Sequence, residues 1–547
     1  MTTDKRKTIA RDISWLSFNE RVLQEAADPT VPLRERVRFL GIFSNNMDEF
    51  FRVRVATLKR MMEIGTKVNM HLETDPEKIL DEIQLTVLNQ QSEFNRIWEG
   101  IMSELKNEKI FLITEKDLNA VQQDFVRRYY DDDVSSSVIP LMIESIPEFP
   151  YLRDKSIYLA VVMWKRESPL KKKYALIEVP SRAHGRFVRL PSSKPEEHNI
   201  LLLEDVIRFN LPDIFSYFGY DQYSSYVFKV TRDAEIDIDN DISTSIIQKI
   251  EKGIKNRRKG KPVRFVYDRE MDPGLLEYLI RRLDLSKKGN LIPGGRIHNF
   301  RHFMDFPEEV FKQKSKRRKS FDHPLLTERR VSDVLMEKDV MLHVPYHSFS
   351  PIIDLLREAA IDPEVNSIKI TCYRLAEQSK IINALVNAVR NGKQVTVMLE
   401  LTARFDEEAN LEWKERLEEE GVNVLIGIQN MKVHSKICVI RKKTKDQTIL
   451  YGFVGTGNLN ERTARVYSDH FLLTSNQKIM ADVNRVFNFI EQPKNGQFLK
   501  DCQTLMPSPW YVRQEIIHRA NMMKKMRVSN TAQLLKTAIQ DGTIKIR

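Results

Sequence analysis

Hydrophobic residues in the first part of the chain recur at the spacing of an amphipathic helix. Three such stretches follow one another, Arg11–Ala27, Arg34–Arg60 and Glu77–Lys106. In the third, apolar residues fall every three or four positions and form one broad stripe. A stripe of this kind buries one face of a helix against a core. The pattern therefore predicts an all-helical N-terminal domain over residues 1–106.

The pattern changes between residues 107 and 317, where short alternating apolar runs are separated by turn residues and by helical stretches. This mixture predicts an α+β middle domain. The predicted strands are Ile157–Trp164, Tyr174–Val179, Phe187–Leu190, Val227–Arg232 and Val263–Tyr267, and the predicted helices are Leu118–Tyr130, Asp241–Lys255 and Pro273–Leu283. His298 and His302 have the spacing of a metal-binding pair, but no carboxylate accompanies them, so we interpret both as structural.

A basic run, Lys312–Lys319, resembles a linker and precedes a third domain over residues 318–505. Apolar strands and amphipathic helices alternate there, which predicts an α/β domain with a largely parallel sheet and a site at the carboxyl ends of the strands. The predicted strands are Ser367–Tyr373, Gln394–Leu401, Asn423–Ile428, Lys436–Arg441 and Thr448–Val454; the predicted helices are Phe349–Ala360, Lys380–Asn391, Glu408–Glu420 and Asp482–Ile490. Residues 506–547 are basic and weakly patterned.

The segment 431–460 contains the residues with the clearest chemical potential. His434 and Lys436 begin one predicted strand, and Gly455-Thr456-Gly457-Asn458 ends the next, so a hairpin brings them together. A neutral imidazole is a good nucleophile toward phosphorus, and a nearby ammonium stabilises charge on phosphoryl oxygens. Glycines let backbone N–H groups approach an anion. These residues predict a phosphoryl-transfer site.

Composition narrows the class of protein. Hydrophobic residues at 41% and charged residues at 30% are typical of a globular protein. The net charge of +11 suits a polyanionic partner, although the basic runs Lys252–Lys261 and Lys312–Lys319 also suit solvated loops. The three cysteines are far apart, and we expect no transmembrane segment and a reducing, cytoplasmic setting. Peripheral association with a membrane stays open.

Several blocks of residues resemble bacterial polyphosphate kinase, a family with a phospholipase-D-like catalytic domain. The blocks are Trp15–Leu23, Tyr373-Arg374, Glu400–Asn410, Lys432–Lys436 and Gly455–Arg465. Their order along the chain is that of the family, and the resemblance covers about Ile9 to Arg513. It implies reversible transfer of the terminal phosphate of ATP to inorganic polyphosphate, with Mg²⁺ and a phosphohistidine intermediate.

The resemblance also implies roles for individual residues. His434 matches the histidine that becomes phosphorylated, Lys436 would neutralise the transferring group, and Asn458 would orient the imidazole or donate to the phosphate. Asn45 and Tyr467 match nucleotide contacts. Arg374 and Arg404 match positions described as phosphate- and magnesium-binding.

A guanidinium is a poor direct ligand for magnesium, so we expect the two arginines to line the phosphate–metal site. Asp406, Glu407 and Glu408 are better chemical candidates for metal ligands, although acids at a helix N-terminus also favour the helix dipole.

Two features of this chain differ from related enzymes, one from phospholipase D enzymes and one from polyphosphate kinases. The aspartate that phospholipase D enzymes carry seven residues after the histidine is Arg441 here, which weighs against diesterase chemistry. The family has a second phospholipase-D-like domain, which would have to occupy residues 506–547, and that segment does not match its start. We therefore expect a fragment or shortened form that binds polyphosphate but transfers phosphate poorly.

Three functions remain open from the sequence. The first is a polyphosphate kinase, a homo-oligomer with ATP or ADP and polyphosphate as partners. The second is a phospholipase-D-type phosphodiester hydrolase. The third is a non-catalytic polyanion-binding protein. Nucleic acid is a weaker candidate for the polyanion, because no aromatic platform or recognition helix is evident.

Overall fold

The computed structural model describes residues 9–64, 75–233, 260–285, 291–313, 319–373, 375–376, 378–401, 407–428, 431–508, 511–527 and 533. The chain divides into two compact units, Met1–Arg317 and Arg318–Arg547. The predicted helix Asp241–Lys255 lies outside the described residues.

The first unit begins with helices, as predicted. They are α1 (Arg11–Ala27), α2 (Leu33–Phe50), α3 (Ala56–Ile64) and α4 (Pro76–Asn107). A π-helical turn, Phe51–Val55, joins α2 to α3, so the predicted single helix over Arg34–Arg60 changes its hydrogen-bond register once. Asp75 caps α4, because its side chain accepts a hydrogen bond from the backbone N–H of Glu77 at 3.0 Å.

Strands and short helices follow in the rest of the first unit. The strands are β1 (Ile110–Ile113), β2 (Pro140–Met142), β3 (Tyr158–Lys165), β4 (Ser168–Glu178), β5 (Phe187–Leu190), β6 (His198–Leu202), β7 (Gln222–Arg232), β8 (Pro262–Asp268) and β9 (Leu291–Gly294). The helices are α5 (Ala120–Tyr129), α6 (Ser181–His184), α7 (Leu203–Phe209), α8 (Leu211–Ile214) and α9 (Pro273–Arg282). Among the described residues, the strands form one sheet in the order β2-β4-β3-β7-β8-β9 and a smaller sheet in the order β1-β6-β5.

The helices and the larger sheet of the first unit share one hydrophobic core. Apolar side chains of α1, α2 and α4 pack against Val263 and Val266 of β8 and against Phe300 and Phe303 in the 3₁₀ turn that follows β9. The stripe on α4 is therefore core, as its periodicity indicates.

The second unit alternates strands and helices. Its strands are β10 (Val340–Val344), β11 (Val365–Cys372), β12 (Gln394–Leu399), β13 (Asn423–Ile426), β14 (Lys436–Lys443), β15 (Thr448–Gly455) and β16 (Asp469–Thr474). Its helices are α10 (Val331–Glu337), α11 (Ser350–Ile361), α12 (Lys380–Arg390), α13 (Glu407–Glu419), α14 (Gln477–Glu491), α15 (Gln497–Lys500) and α16 (Val512–Lys525). The predicted multidomain α/β class, with a helical N-terminal region, is confirmed.

The sheet of the second unit is mixed, so the prediction of a largely parallel sheet was wrong. Its order in the described chain is β10-β16-β15-β14-β11-β12-β13. Only the β11–β12 and β12–β13 pairs are parallel, and the other pairs are antiparallel. The short connection between β14 and β15 accounts for one antiparallel pair, because strands joined by a tight hairpin must run in opposite directions.

Two helices of the second unit are each followed by a glycine in the left-handed conformation. Gly392 follows α12 with φ of 77°, and Gly421 follows α13 with φ of 83°. Glycine adopts this left-handed conformation without steric cost. No helix in the described part of the chain is both long enough and apolar enough to cross a bilayer.

Candidate active site

The site is assembled where β14 begins beside the end of β11. The Thr371 hydroxyl on β11 donates to the carbonyl of Ser435 at 2.7 Å and accepts from the N–H of Ile437 at 3.0 Å. One hydroxyl thus holds the backbone on both sides of Lys436. Since His434 directly precedes this segment, its position depends on the pairing of the two strands.

Tyr373, immediately after β11, contacts both chemically important side chains. Its ring meets the ring of His434 edge to face, with centroids 4.9 Å apart and an interplanar angle of 79°. The Lys436 ammonium lies 5.0 Å from the centroid of the same ring, within the range of a cation–π contact. His434 is exposed and Lys436 is buried, and Lys436 Nζ donates to the carbonyl of His434. The structure therefore brings the predicted pair together through Tyr373.

Buried polar side chains support the loop on which Tyr373 lies. The Asn410 amide donates to the carbonyl of Tyr373 at 3.1 Å and to that of Glu400 at 2.9 Å. The Glu400 carboxylate accepts from the N–H of Val433, next to His434, at 3.0 Å. Asn410 and Glu400 are both almost fully buried, so these bonds fix the loop and the approach to β14.

The glycine-rich turn has a steric requirement that the sequence did not reveal. A Cβ at Gly455 would come within 2.3 Å of the Phe471 ring, and one at Gly457 within 2.6 Å of the Asp469 carboxylate. The same carboxylate accepts from the Thr456 hydroxyl at 2.8 Å. Both glycines therefore allow β15 and the turn to pack closely against β16.

Two oxygen atoms in this turn are buried and have no hydrogen-bond partner among the described residues. They are Oδ1 of Asn458 and Oε2 of Glu461. The other oxygen of Glu461 accepts from the N–H of Lys380 at the start of α12, at 2.7 Å. Unpaired buried acceptors are costly, so each of these oxygens is suited to receive a cation or a hydrogen-bond donor.

Comparison with known proteins identifies the family. Family models match in three consecutive ranges: the polyphosphate kinase N-terminal domain at 8–113, the middle domain at 121–306 and C-terminal domain 1 at 330–496. A polyphosphate kinase of Vibrio cholerae is 42% identical over an alignment of 510 residues, which covers 90% of this chain and 70% of that protein. The chain belongs to the polyphosphate kinase family.

Two further comparisons point to the same family. The polyphosphate kinase of Escherichia coli strain K12 is 41% identical over 492 residues, covering 89% of this chain and 71% of that protein. The crystal structure of polyphosphate kinase from Porphyromonas gingivalis superposes with a TM-score of 0.75 at 31% identity, covering 95% of this chain and 74% of that chain.

The structure describes only some of the other residues that were predicted for the site. Asn45 lies on α2 of the first unit. Tyr467 lies in the second unit and is 63% exposed, which leaves its ring accessible to a base. Arg374, Arg404 and Asp406 lie outside the described residues. The side chains of Glu407 and Glu408 are outside them as well, although their backbone forms the start of α13.

Sequence reasoning missed the contributions of Thr371 and Glu461 and gave Tyr373 no role. Tyr373 and Glu461 fall inside the sequence blocks that resemble polyphosphate kinase. Their position in these blocks could have marked them as candidate site residues. Thr371 offers no such signal, because a threonine inside a strand is usual and its partners lie 64 and 66 positions away.

Proposed function

We infer that this protein is a polyphosphate kinase, which transfers the terminal phosphate of ATP to inorganic polyphosphate in a reversible reaction. Membership of the family supports the overall reaction. The observation that carries the mechanism is the exposed His434 imidazole, which packs on Tyr373 beside the buried ammonium of Lys436. A nucleophile, an orienting ring and a cation thus share one location.

In the first half-reaction, an imidazole nitrogen of His434 forms a bond to the γ-phosphorus of ATP. The bond from that phosphorus to the β–γ bridging oxygen breaks, and ADP leaves with the electron pair. In the second half-reaction, a terminal oxygen of polyphosphate attacks the same phosphorus and the phosphorus–nitrogen bond breaks. Lys436 stabilises negative charge on the phosphoryl oxygens in both steps.

The family implies Mg²⁺, and the chain offers oxygen donors that suit it. Magnesium prefers oxygen ligands and is held through few carboxylates plus substrate phosphates. Asn458 Oδ1 and Glu461 Oε2 are the unpaired buried side-chain oxygens of the described residues 455–461, and each is a candidate to bind the ion directly or through water. When bound, the ion neutralises charge on the phosphate oxygens. If Asn458 binds the ion through this oxygen, its amide N–H₂ remains available to the phosphate.

Assignment to the polyphosphate kinases also proposes residues that contact the nucleotide and the polyphosphate. Tyr467 would stack against the base, and Asn45 would contact the nucleotide. Arg374 and Arg404 would bind polyphosphate, because a guanidinium fork matches phosphate oxygens. The hydrolase alternative lacks its aspartate: the corresponding Arg441 is exposed on β14, opposite Leu450 of β15.

The decisive experiment is covalent labelling with ATP carrying ³²P at the γ-phosphate, in the presence of magnesium. We expect acid-labile, base-stable label in the unmodified chain and none in His434→Ala. His343→Ala is the matched control, because His343 lies on β10 of the same sheet and takes no part in the proposed transfer. Label that persists in His434→Ala, or that disappears equally in His343→Ala, would overturn the assignment.

A further inference from the structure

The first unit contains a cavity of about 220 Å³ that the proposed phosphoryl transfer does not use. It lies between α2, α4 and residues 294–300. One wall is aromatic, formed by Phe43, Phe94, Trp98 and Phe300. The rings of Trp98 and Phe300 meet edge to face with centroids 5.0 Å apart. This volume exceeds by several times the roughly 30 Å³ occupied by one water, so a polyatomic ligand fits.

Cationic side chains form another part of the cavity lining. Lys229, Arg264 and Arg296 line the cavity, and the described lining contains no carboxylate. Lys229 and Arg264 both contact one buried carboxylate, Asp48, at 2.7 and 3.0 Å. Arg296, by contrast, is ion-paired with Glu115 and, at 2.7 Å, with Asp205. The excess of positive charge therefore lies at Lys229 and Arg264, which share the single charge of Asp48, and a buried excess of charge is costly unless an anion is present.

Two nitrogens of this wall have no hydrogen-bond partner among the described residues, although they are buried. They are Nε2 of His298 and Nε of Arg264. His298 is 4% exposed, and its ring lies against Gly294, where an added Cβ would come within 2.4 Å of the imidazole. The imidazole is thus fixed in place while one nitrogen remains unpaired. Buried nitrogens of this kind in native proteins are usually paired with a ligand, an ion or water.

The ionisation of the wall agrees with a positive potential. Burial lowers the pKa of His298 to about 3, and the nearby charges of Lys229 and Arg186 act in the same direction. Burial also lowers the pKa of Lys229 to about 8, although Asp48 opposes this shift. An anion in the cavity would relieve both effects.

We propose that this cavity binds a phosphate-bearing anion at a site built entirely from first-unit residues, none of which is assigned to the phosphoryl transfer at His434. The phosphate oxygens would face His298 and Arg264, each of which has a buried nitrogen that is unpaired in the described chain, and the aromatic wall would contact the rest of the ligand. Orthophosphate, a short phosphate chain and a nucleotide all present this phosphate group. A nucleotide would in addition place its base against Trp98 and Phe300.

Gly295 allows a direct test because it lines the cavity and an added Cβ meets no atom within 4 Å. Gly295→Asp adds a negative charge to the wall, and Gly295→Asn is the matched neutral control. We expect the aspartate variant to bind phosphate ligands about tenfold more weakly or worse, because like charges oppose each other across a small distance. The asparagine variant should bind as the unmodified chain does.

Binding is measured on the full chain by equilibrium dialysis with ³²P-orthophosphate, labelled tripolyphosphate and labelled AMP, each in separate experiments. Because the region of His434 also binds phosphate groups, the number of sites is determined together with the affinity. We expect Gly295→Asp to lose one class of site and to keep the other. Tighter binding of AMP would identify a nucleotide as the ligand, and tighter binding of tripolyphosphate would identify a phosphate chain.

Thermal unfolding supplies a second readout. Without ligand, Gly295→Asp should unfold at a higher temperature than Gly295→Asn, because its carboxylate occupies the place of the anion. Ser44→Glu and Ser44→Gln, on the α2 side of the cavity, form a second matched pair in case the first does not fold. Equal numbers of sites and equal affinities in the charged and neutral members of a pair would overturn the proposal. That result would not affect the assignment of His434, which the labelling experiment tests separately.

Discussion

The ring of Tyr373 meets the ring of His434 edge to face at 4.9 Å between centroids, and the same ring lies 5.0 Å from the ammonium of Lys436. The tyrosine thus orients the proposed nucleophile and its neighbouring cation at once. Asn410 in turn holds the backbone of Tyr373 at 3.1 Å. The geometry of the site depends on an aromatic ring as much as on the charged groups.

We predict that Tyr373→Ala slows the labelling of His434 by roughly 10²-fold, because a shift of about 1 Å in a reacting group can cost that much. Tyr373→Phe should stay within a few-fold of the unmodified chain, since it retains the ring and loses only the hydroxyl. Single-turnover labelling with γ-³²P-ATP measures both variants. Equal rates for the alanine and phenylalanine variants would show that the ring does not position His434.

The Thr371 hydroxyl makes a second prediction possible. Thr371→Val keeps the shape of the side chain but removes both hydrogen bonds to the segment 435–437, which leaves the N–H of Ile437 unpaired in a buried place. We expect a loss of about 1–3 kcal/mol in unfolding free energy together with slower labelling.

Thr371→Ser is the control for this change, because it retains the hydroxyl. Denaturant unfolding and labelling are measured on both variants. If the valine variant were as stable and as active as the serine variant, the hydroxyl would have no role in holding β14.

The third prediction concerns the glycine turn. Gly457→Ala would place a Cβ within 2.6 Å of the Asp469 carboxylate, so either the turn or β16 must move. We expect reduced labelling and a lower unfolding temperature. Gly496→Ala is the control, because a Cβ there meets no atom within 4 Å. Labelling of Gly457→Ala at the rate of Gly496→Ala would contradict the close packing of the turn.

The fourth prediction concerns Asp48 in the first unit. Burial raises the pKa of this carboxyl, but the charges of Lys229 and Arg264 outweigh burial, so the net shift is downward. Asp48→Asn leaves two buried cations without their shared counter-charge. We expect the free energy of unfolding to fall by about 3–5 kcal/mol at neutral pH.

The pH dependence of this effect has a definite sign. Because the pKa of Asp48 is lower in the folded than in the unfolded protein, its stabilisation is complete above the unfolded value of about 3.9 and is lost as pH falls through the folded value. The difference in unfolding temperature between the unmodified chain and Asp48→Asn should therefore shrink as pH falls below about 4. A difference that stays constant or grows below about pH 4 would contradict the assignment.

Much of the architecture could be predicted from the sequence, because it depends on local periodicity. The helix Arg11–Ala27 and the strand Phe187–Leu190 have the predicted bounds. Most other predicted elements differ by a few residues at their ends, which depend on capping and fraying. Six strands of the described chain were not predicted: β1, β2, β6, β9, β10 and β16. The second unit's sheet was wrongly predicted as largely parallel, because β10 and β16 pair antiparallel and β14 pairs antiparallel with the distant β11.

The residues of the proposed site can be recognised from the sequence alone: a histidine, a lysine two positions later and an asparagine after a glycine turn, in an order that the polyphosphate kinase family shares. The side chains that surround these residues depend on the tertiary structure. Tyr373 reaches His434 across neighbouring strands, and Asp48 meets Lys229 and Arg264 from positions 181 and 216 residues away. The physical reason is that periodicity and motifs report interactions between near neighbours in the chain. Contacts between distant segments depend instead on strand order and helix packing, which the whole chain settles together.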